Sequence, residues 1–140
     1  MCSIIPIVFN PHNRLNTDFS LLIRYQSDTL FLFNDSEDEF LLMSRRPGGG
    51  NACIRPYRGI NAAGIPTGNK KGGYSMLDET TKKNIDKSFD IIKAMIKQKK
   101  FKRIMFSADV KNNKLIGSSI FKINKDVVKY ISKRIWDLAS

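Results

Sequence analysis

Apolar residues along this chain follow one spacing in its first half and another in its second. SIIPIVF (residues 3–9) and DTLFLFND (28–35) are short apolar runs, the second closed by Asn34, Asp35 and Ser36. Such runs mark strands buried on both faces. FSLLIRYQ (19–26) fits either a strand or a short helix, and SEDEFLLMS (36–44) predicts a short helix with an acidic first turn. NAAGIPTG (61–68) predicts a short buried strand that Pro66 and Gly68 terminate. From Asp78 the spacing lengthens: Ile85, Phe89, Ile92 and Ile96 define an amphipathic helix with lysines on its outer face. FKRIMFSAD (101–109) predicts another strand and KNNKLIGSS (111–119) a loop. A final helix follows, with Val128, Ile131, Ile135 and Leu138 in one stripe and Asn124 as its cap. Strands alternating with helices predict one α/β domain over residues 1–140. It is a sandwich with a mixed or mostly parallel sheet flanked by helices.

Composition narrows the class. A hydrophobic fraction of 41% supports one real core. The apolar runs are too short to span a bilayer, and MCSIIPIVFNPHN lacks the basic start and small-residue cleavage site of a signal peptide. The expectation is a soluble, cytoplasmic chain with no membrane partner. Cys2 and Cys53 form no spaced pattern and are expected as free thiols, while His12 sits in the turn-forming NPHN. Without a Cys/His cluster, neither a metal, a cofactor nor a catalytic triad is expected. The net charge of +11 calls for an anionic partner or serves solubility. Arginines gather at Arg45, Arg46, Arg55 and Arg58, whereas lysines dominate residues 70–102. Arginine suits bidentate phosphate recognition, and lysine more often decorates a solvated face.

Three loops after predicted strands are candidates for chemistry, because open α/β sheets collect ligands there. The first is RRPGGGNACIRPYRG (45–59). Gly48, Gly49, Gly50, Asn51 and Ala52 are candidate backbone donors to a phosphate, with Arg55 and Arg58 neutralising its charge. Pro56 restricts any helix there to a short turn. The competing reading is a glycine-rich connection without a ligand. In the second loop, GIPTGNKKGGYSML (64–77), Thr67 offers a hydroxyl and Tyr74 suits a packing staple better than a base platform. In the third, Asp109 stands past a strand end, and Gly117, Ser118 and Ser119 form a candidate second phosphate loop. Asp35, closing its own strand, is either a turn cap or a ligand contact.

Two resemblances add to this. GGGNACI and IMFSAD…IGSSIF stand in the order of the two phosphate loops of macro domains, which the architecture of residues 28–138 resembles. That resemblance implies a macro-domain-like fold and an ADP-ribose ligand. The Asn-Ala-Ala-Asn signature that should precede the first loop is missing, since Asn-Ala-Ala occurs only at Asn61, Ala62 and Ala63, so the family's hydrolase activity is not implied. The chain also resembles a family of small bacteriophage proteins with the pattern Phe-Gly-Asp-Asn, Gly-Gly-Gln-Ala, Arg-Gly and Asn-Ala-Val-Gly-Ile-Pro-Thr. Here the matching residues are FNDS (33–36), GGNA (49–52), Arg58-Gly59 and NAAGIPT (61–67). This resemblance implies a viral accessory protein in the host-cell cytoplasm and transfers no catalytic residue.

The leading expectation is a nucleotide-binding viral protein that holds an ADP-ribose-like or cyclic-nucleotide ligand, sequestering a host immune signal. Gly48–Ala52 and Gly117–Ser119 supply donors, Asp35 or Asp109 fixes base or ribose, and Asn61 and Thr67 complete the site. One alternative is a phosphoesterase or glycohydrolase using Asp109 as base and Asn51 or Asn61 to position substrate. A second is nucleic-acid binding through the basic helix, and a third is direct inhibition of a host protein.

Overall fold

The computed structural model describes residues 2–8, 19–118 and 122–139. Among these, five strands form one mixed sheet: β1 (Ser3–Ile7), β2 (Thr29–Ser36), β3 (Ala62–Asn69), β4 (Gly72–Gly73) and β5 (Arg103–Ser107). Their order is β1-β5-β2-β3-β4. All neighbours are parallel except β3 and β4, which form a short antiparallel hairpin. The helices are α1 (Glu37–Leu41), α2 (Glu79–Lys99) and α3 (Lys125–Asp137), with a 3-10 helix at Gly50–Tyr57. The expected mixed α/β sheet with flanking helices is therefore present.

Period-two alternation in the strands sorts two cores onto the two faces of the sheet. Leu30, Leu32, Ala63, Ile65, Ile104 and Phe106 join the stripes of α2 and α3 in the larger cluster. Phe31, Phe33, Ala62 and Met105 pack on the other face, against Phe19, Ile23 and the 3-10 residues Ala52 and Ile54. Register agrees with this sorting, since Phe31 lies beside Ala62 and Met105 while Leu32 lies beside Ala63 and Phe106. Cys2 packs against the first cluster and Cys53 against the second, so the sheet separates the two unbridged thiols.

The helix ends follow from local chemistry. Ser36 accepts from the Glu39 amide to start α1, Asp78 accepts from Thr81 to start α2, and Asn124 accepts from Asp126 to start α3. Lysines of α2 lie exposed on its outer face while Ile85, Phe89, Ile92 and Met95 are buried. Among the described residues no helix is long and apolar enough to cross a membrane.

Two local expectations need revision, and one open alternative resolves to its helical form. β3 does not stop at Pro66 or Gly68 but runs on to Asn69. Pro66 lacks a ladder N–H, and the strand accommodates it because the register with β2 breaks there: Asp35 aligns with Pro66 but Ser36 with Gly68. Residues 19–26 form successive helical turns, with Ile23 N–H donating to Phe19 and Gln26 N–H to Leu22. In α3 the deepest apolar position near the start is Val127, whereas Val128 and Leu138 are only partly buried. His12 and Ser119 lie outside the described residues.

Tyr74 is the staple between layers. Its ring is buried in the larger core and its hydroxyl donates to Glu37 Oε1 at 2.9 Å. Asn84 Nδ2 donates to the same oxygen at 2.8 Å, so α1, α2 and the end of the β3–β4 hairpin meet at one carboxylate. Burial, then the adjacent Glu37, push the Tyr74 phenol above its ordinary value of 10.0. The protonated phenol therefore contributes stability that is complete below about pH 10 and is lost as pH rises through the folded-state value. Tyr130 is also pushed up, by burial and then its hydrogen bond to Asp86, and adds to the same alkaline loss. Denaturant midpoints measured from neutral pH upward are expected to fall less steeply above about pH 10 in Tyr74→Phe than in the parent chain. Identical slopes would remove Tyr74 from this account.

Candidate functional site

The site grows from the C-terminal end of β2, where alternation directs Asp35 to the same face as Phe31 and Phe33. A lone carboxylate there would be too costly to bury, and only 3% of Asp35 is exposed. The 3-10 helix solves this. Its period of three residues sets Arg55 and Arg58, three apart, along one line facing the strand. Arg55 Nε and Nη2 donate to Asp35 Oδ1 at 3.1 and 2.8 Å, and Arg58 Nη2 donates to Oδ2 at 2.5 Å. Each arginine also holds a backbone carbonyl: Arg55 Nη1 donates to that of Arg46 and Arg58 Nε to that of Ser44. Both guanidinium carbons lie over the Phe33 ring, 6.0 and 5.4 Å from its centre.

Two glycines make room for this cluster. A Cβ on Gly64 would sit 2.5 Å from Asp35 Oδ2 and 3.0 Å from the Phe33 ring. A Cβ on Gly48 would sit 2.8 Å from Arg55 Nη1. Nearby, Glu39 is held below the usual carboxylate range by hydrogen bonding from Ser44 and then Arg46. The Glu39 carboxylate also lies within electrostatic reach of Arg55, so Asp35 and Glu39 together face Arg55 and Arg58, while the Arg46 side chain is largely in solvent.

Beside this cluster lies a cavity of about 320 Å³. Gly49, Gly50, Asn51 and Ala52 form one wall, and Asn34, Asp35 and Ser36 another. Thr67, Gly68 and Asn69 of β3, Gly72 and Gly73 of β4, and Ser118 beyond β5 close it, with Arg55 at the base. Gly50 turns the chain into the 3-10 helix with φ of +59°, where a side chain is strained. Asn34 fastens the two loops. Its backbone N–H donates to Asn51 Oδ1 at 3.1 Å, and its Nδ2 donates to the Gly117 carbonyl at 2.8 Å. The triple-glycine turn and Ser118, which are remote in sequence, therefore share one cavity.

The expected residues divide. Asp35, Gly49, Gly50, Asn51, Ala52, Arg55, Thr67 and Ser118 line the cavity. Gly48 packs beneath Arg55, and Gly117 contributes the carbonyl that holds Asn34. Arg58 is buried away from the cavity wall. Arg55 and Arg58 are thus not free cations awaiting a phosphate, because Asp35 already engages both. Asp35 in turn is not free to fix a base or ribose. Asn61 serves elsewhere, donating to the Ile23 carbonyl at 3.0 Å. Asp109 closes its own turn by accepting from the Lys111 and Asn112 amides, which opposes its use as a ligand contact or base. Ser119 falls outside the described residues. Asn34, Ser36 and Asn69 were missed; their signal was position, at the C-terminal ends of two parallel strands.

Among the described residues no group of three or more His, Cys, Asp or Glu side chains is placed to hold a metal ion. No protein-family model matches the sequence, and no curated protein or solved structure matches the chain.

Removing one partner of a buried charge cluster costs far more than an exposed change. Asp35→Ala is expected to destabilise by about 3–5 kcal/mol, leaving two buried guanidiniums unpaired. Gly64→Ala is expected to lose about 1–3 kcal/mol by overpacking against Asp35 and Phe33. Arg46→Ala should stay within about 0.5 kcal/mol, because its side chain is 80% exposed and Arg55 uses only its carbonyl. Urea unfolding of the three variants checks this order; an Asp35→Ala as mild as Arg46→Ala would refute it.

Proposed function

We propose that this chain is a binding module for a small phosphate-bearing ligand, a nucleotide or ADP-ribose-like molecule held in the glycine-lined cavity. The observation that carries the proposal is the glycine-lined cavity with the Arg55 guanidinium in its wall. Among the described residues Asp35 and Arg55 are the ionisable residues of that wall, and Arg58 stands behind them. A guanidinium in a weakly screened setting favours an anion beside it. Glycine backbone lets that anion approach without a Cβ in the way. The arginines act through charge and position here, not as direct forks on the phosphate.

The triple-glycine turn after β2 and the Gly117–Ser118 turn after β5 give the macro-domain-like reading its support. The bacteriophage-like pattern supplies the biological setting: a viral protein that sequesters a host nucleotide signal. Binding suffices for that role, and the Oδ2 of Asp109 is already engaged by two amides of its own turn, which favours binding over an esterase or glycohydrolase. The lysines of α2 form a solvated outer face, and Tyr130, whose ring lies beside Lys82, is tied through its hydroxyl to Asp86, which favours small-molecule over nucleic-acid binding.

Thermal unfolding with ADP-ribose, NAD and cyclic nucleotides tests the proposal. A true ligand at a hundredfold excess over Kd stabilises by about 2.7 kcal/mol. Gly49→Glu supplies the control. Gly49 has ordinary extended backbone (φ −78°, ψ 161°), and a Cβ there meets nothing within 4 Å. The variant is expected to fold with stability changed by less than about 0.5 kcal/mol and to lose the ligand response through charge repulsion. A response that survives Gly49→Glu, or none to any of these ligands, would overturn the assignment.

A further inference from the structure

We infer that Asn34 is the positioning residue of this cavity: it holds the glycine turn and the Gly117–Ser118 turn at one spacing, so that a single ligand meets both. This rests on the phosphate reading above and adds how the two walls are kept at a fixed separation.

The two turns are anchored independently, one on each side of β2, which lies between β5 and β3 in the sheet. Beyond β5, the Gly117 N–H donates to the Ser107 carbonyl at 2.8 Å, and the Ile116 N–H donates to Ser132 Oγ of α3, also at 2.8 Å. A Cβ on Gly117 would lie 3.2 Å from the Ala108 carbonyl oxygen, so this turn sits close against the end of β5. In the connection to β3, the glycine turn closes on itself. Gly48 N–H donates to the Ala52 carbonyl at 3.1 Å, and Ala52 N–H donates to the Gly49 carbonyl at 3.2 Å. Arg55 fixes the approach to that turn through the Arg46 carbonyl.

Asn34 joins these two bodies with different atoms. Its backbone N–H donates to Asn51 Oδ1 at 3.1 Å, and Asn51 Nδ2 reaches back to Asn34 Oδ1 at 3.4 Å. Its own Nδ2 donates the other way, to the Gly117 carbonyl at 2.8 Å. Asparagine carries an acceptor and donors on one short side chain, whereas an aspartate of the same shape would set a carboxylate against that carbonyl. One chain of bonds therefore runs from the glycine turn through Asn51 and Asn34 to Gly117. Both amides are only half-buried and both line the cavity, so their bonds shape its walls more than they support the core. Walls held at a preset spacing need not be ordered when a ligand arrives, and affinity gains by that amount.

Calorimetry with ADP-ribose, NAD and cyclic AMP tests the inference on the parent chain, Asn34→Ala, Asn51→Ala and the double variant, with melting temperatures measured alongside. Each single variant is expected to weaken every probe that binds the parent by about tenfold while melting within about 4 °C of it. Because both substitutions cut one chain of bonds, the double variant is expected to stay near about tenfold, short of the roughly hundredfold that independent contacts would give. Asn51→Ala is also expected to quicken amide exchange at Ser118, on the opposite wall. That variant lies outside the sheet and carries the test where Asn34→Ala fails to fold. Single variants within about threefold of the parent, or a double variant near about a hundredfold, overturn the inference while leaving the phosphate reading intact. Affinity losses that only follow a lowered melting temperature, or unchanged exchange at Ser118, do the same. Silence from all three probes on the parent chain removes the phosphate reading itself, and this inference with it.

Discussion

One carboxylate shared by two guanidiniums sets the conditions for everything around it. Asp35 is buried at the end of a central strand, and its two arginines arrive from a helix and its cap that also pack Ala52 and Ile54 on that strand. Each guanidinium gives one further hydrogen bond to a backbone carbonyl, Arg58 to Ser44 and Arg55 to Arg46, which pins the loop leading into the glycines. Those glycines form the cavity wall. The loop is therefore ordered by a buried electrostatic cluster rather than by its own sequence, and this offsets the entropy that three consecutive glycines would otherwise lose on ordering. Geometry of this kind is all-or-none: an unpaired charge in the interior is far worse than either a complete cluster or an apolar one.

Topology decides why the cluster and the cavity coincide. From β2 the chain moves to β3 on one side, and after the hairpin α2 carries it back to β5 on the other. β2 is therefore the strand where connections diverge, and the space beyond its C-terminal end is left open by both crossovers. Asn34, one residue before Asp35, points its amide group into that gap and bridges the two flanking loops through Asn51 and Gly117. Alternation along a single strand thus gives one residue to the buried charge cluster and its neighbour to the rim.

Most of the fold was legible because it rests on spacing. The continuous apolar run Leu30 to Phe33 declares a strand buried on both faces, the four-three-four rhythm of Ile85, Phe89, Ile92 and Ile96 declares a helix with one inward stripe, and Asn124 declares where the last helix begins. Pro66 misled because a proline is a strand breaker only where its N–H is needed, and a register break removed that need. The arginines misled for a deeper reason. Clustered positive charge reads as an open anion site unless its partner is known, and the partner here lies 20 and 23 residues upstream. No local pattern connects Asp35 to Arg55. Only the pairing of β2 with β3 and the placement of the 3-10 helix do so.

The same view explains the pattern formed by FNDS, GGNA, Arg58-Gly59 and NAAGIPT, which as a string looks like several separate loops. Asp35 supplies the acid, Gly49 to Ala52 the wall, and Arg58 one of the two bases. Gly64, in the middle of the most specific stretch, supplies the space that the carboxylate occupies. Asn61 ties the start of that stretch to the turns at residues 19–26. These residues are spread over four segments because they build one object from four directions. A cation held this rigidly need not reorganise when an anion arrives, so preorganisation takes the place of a long, mobile arginine reaching out to a phosphate. In the proposed phosphate reading, the exposed lysines of α2 act at longer range, drawing anions toward the protein without entering the site.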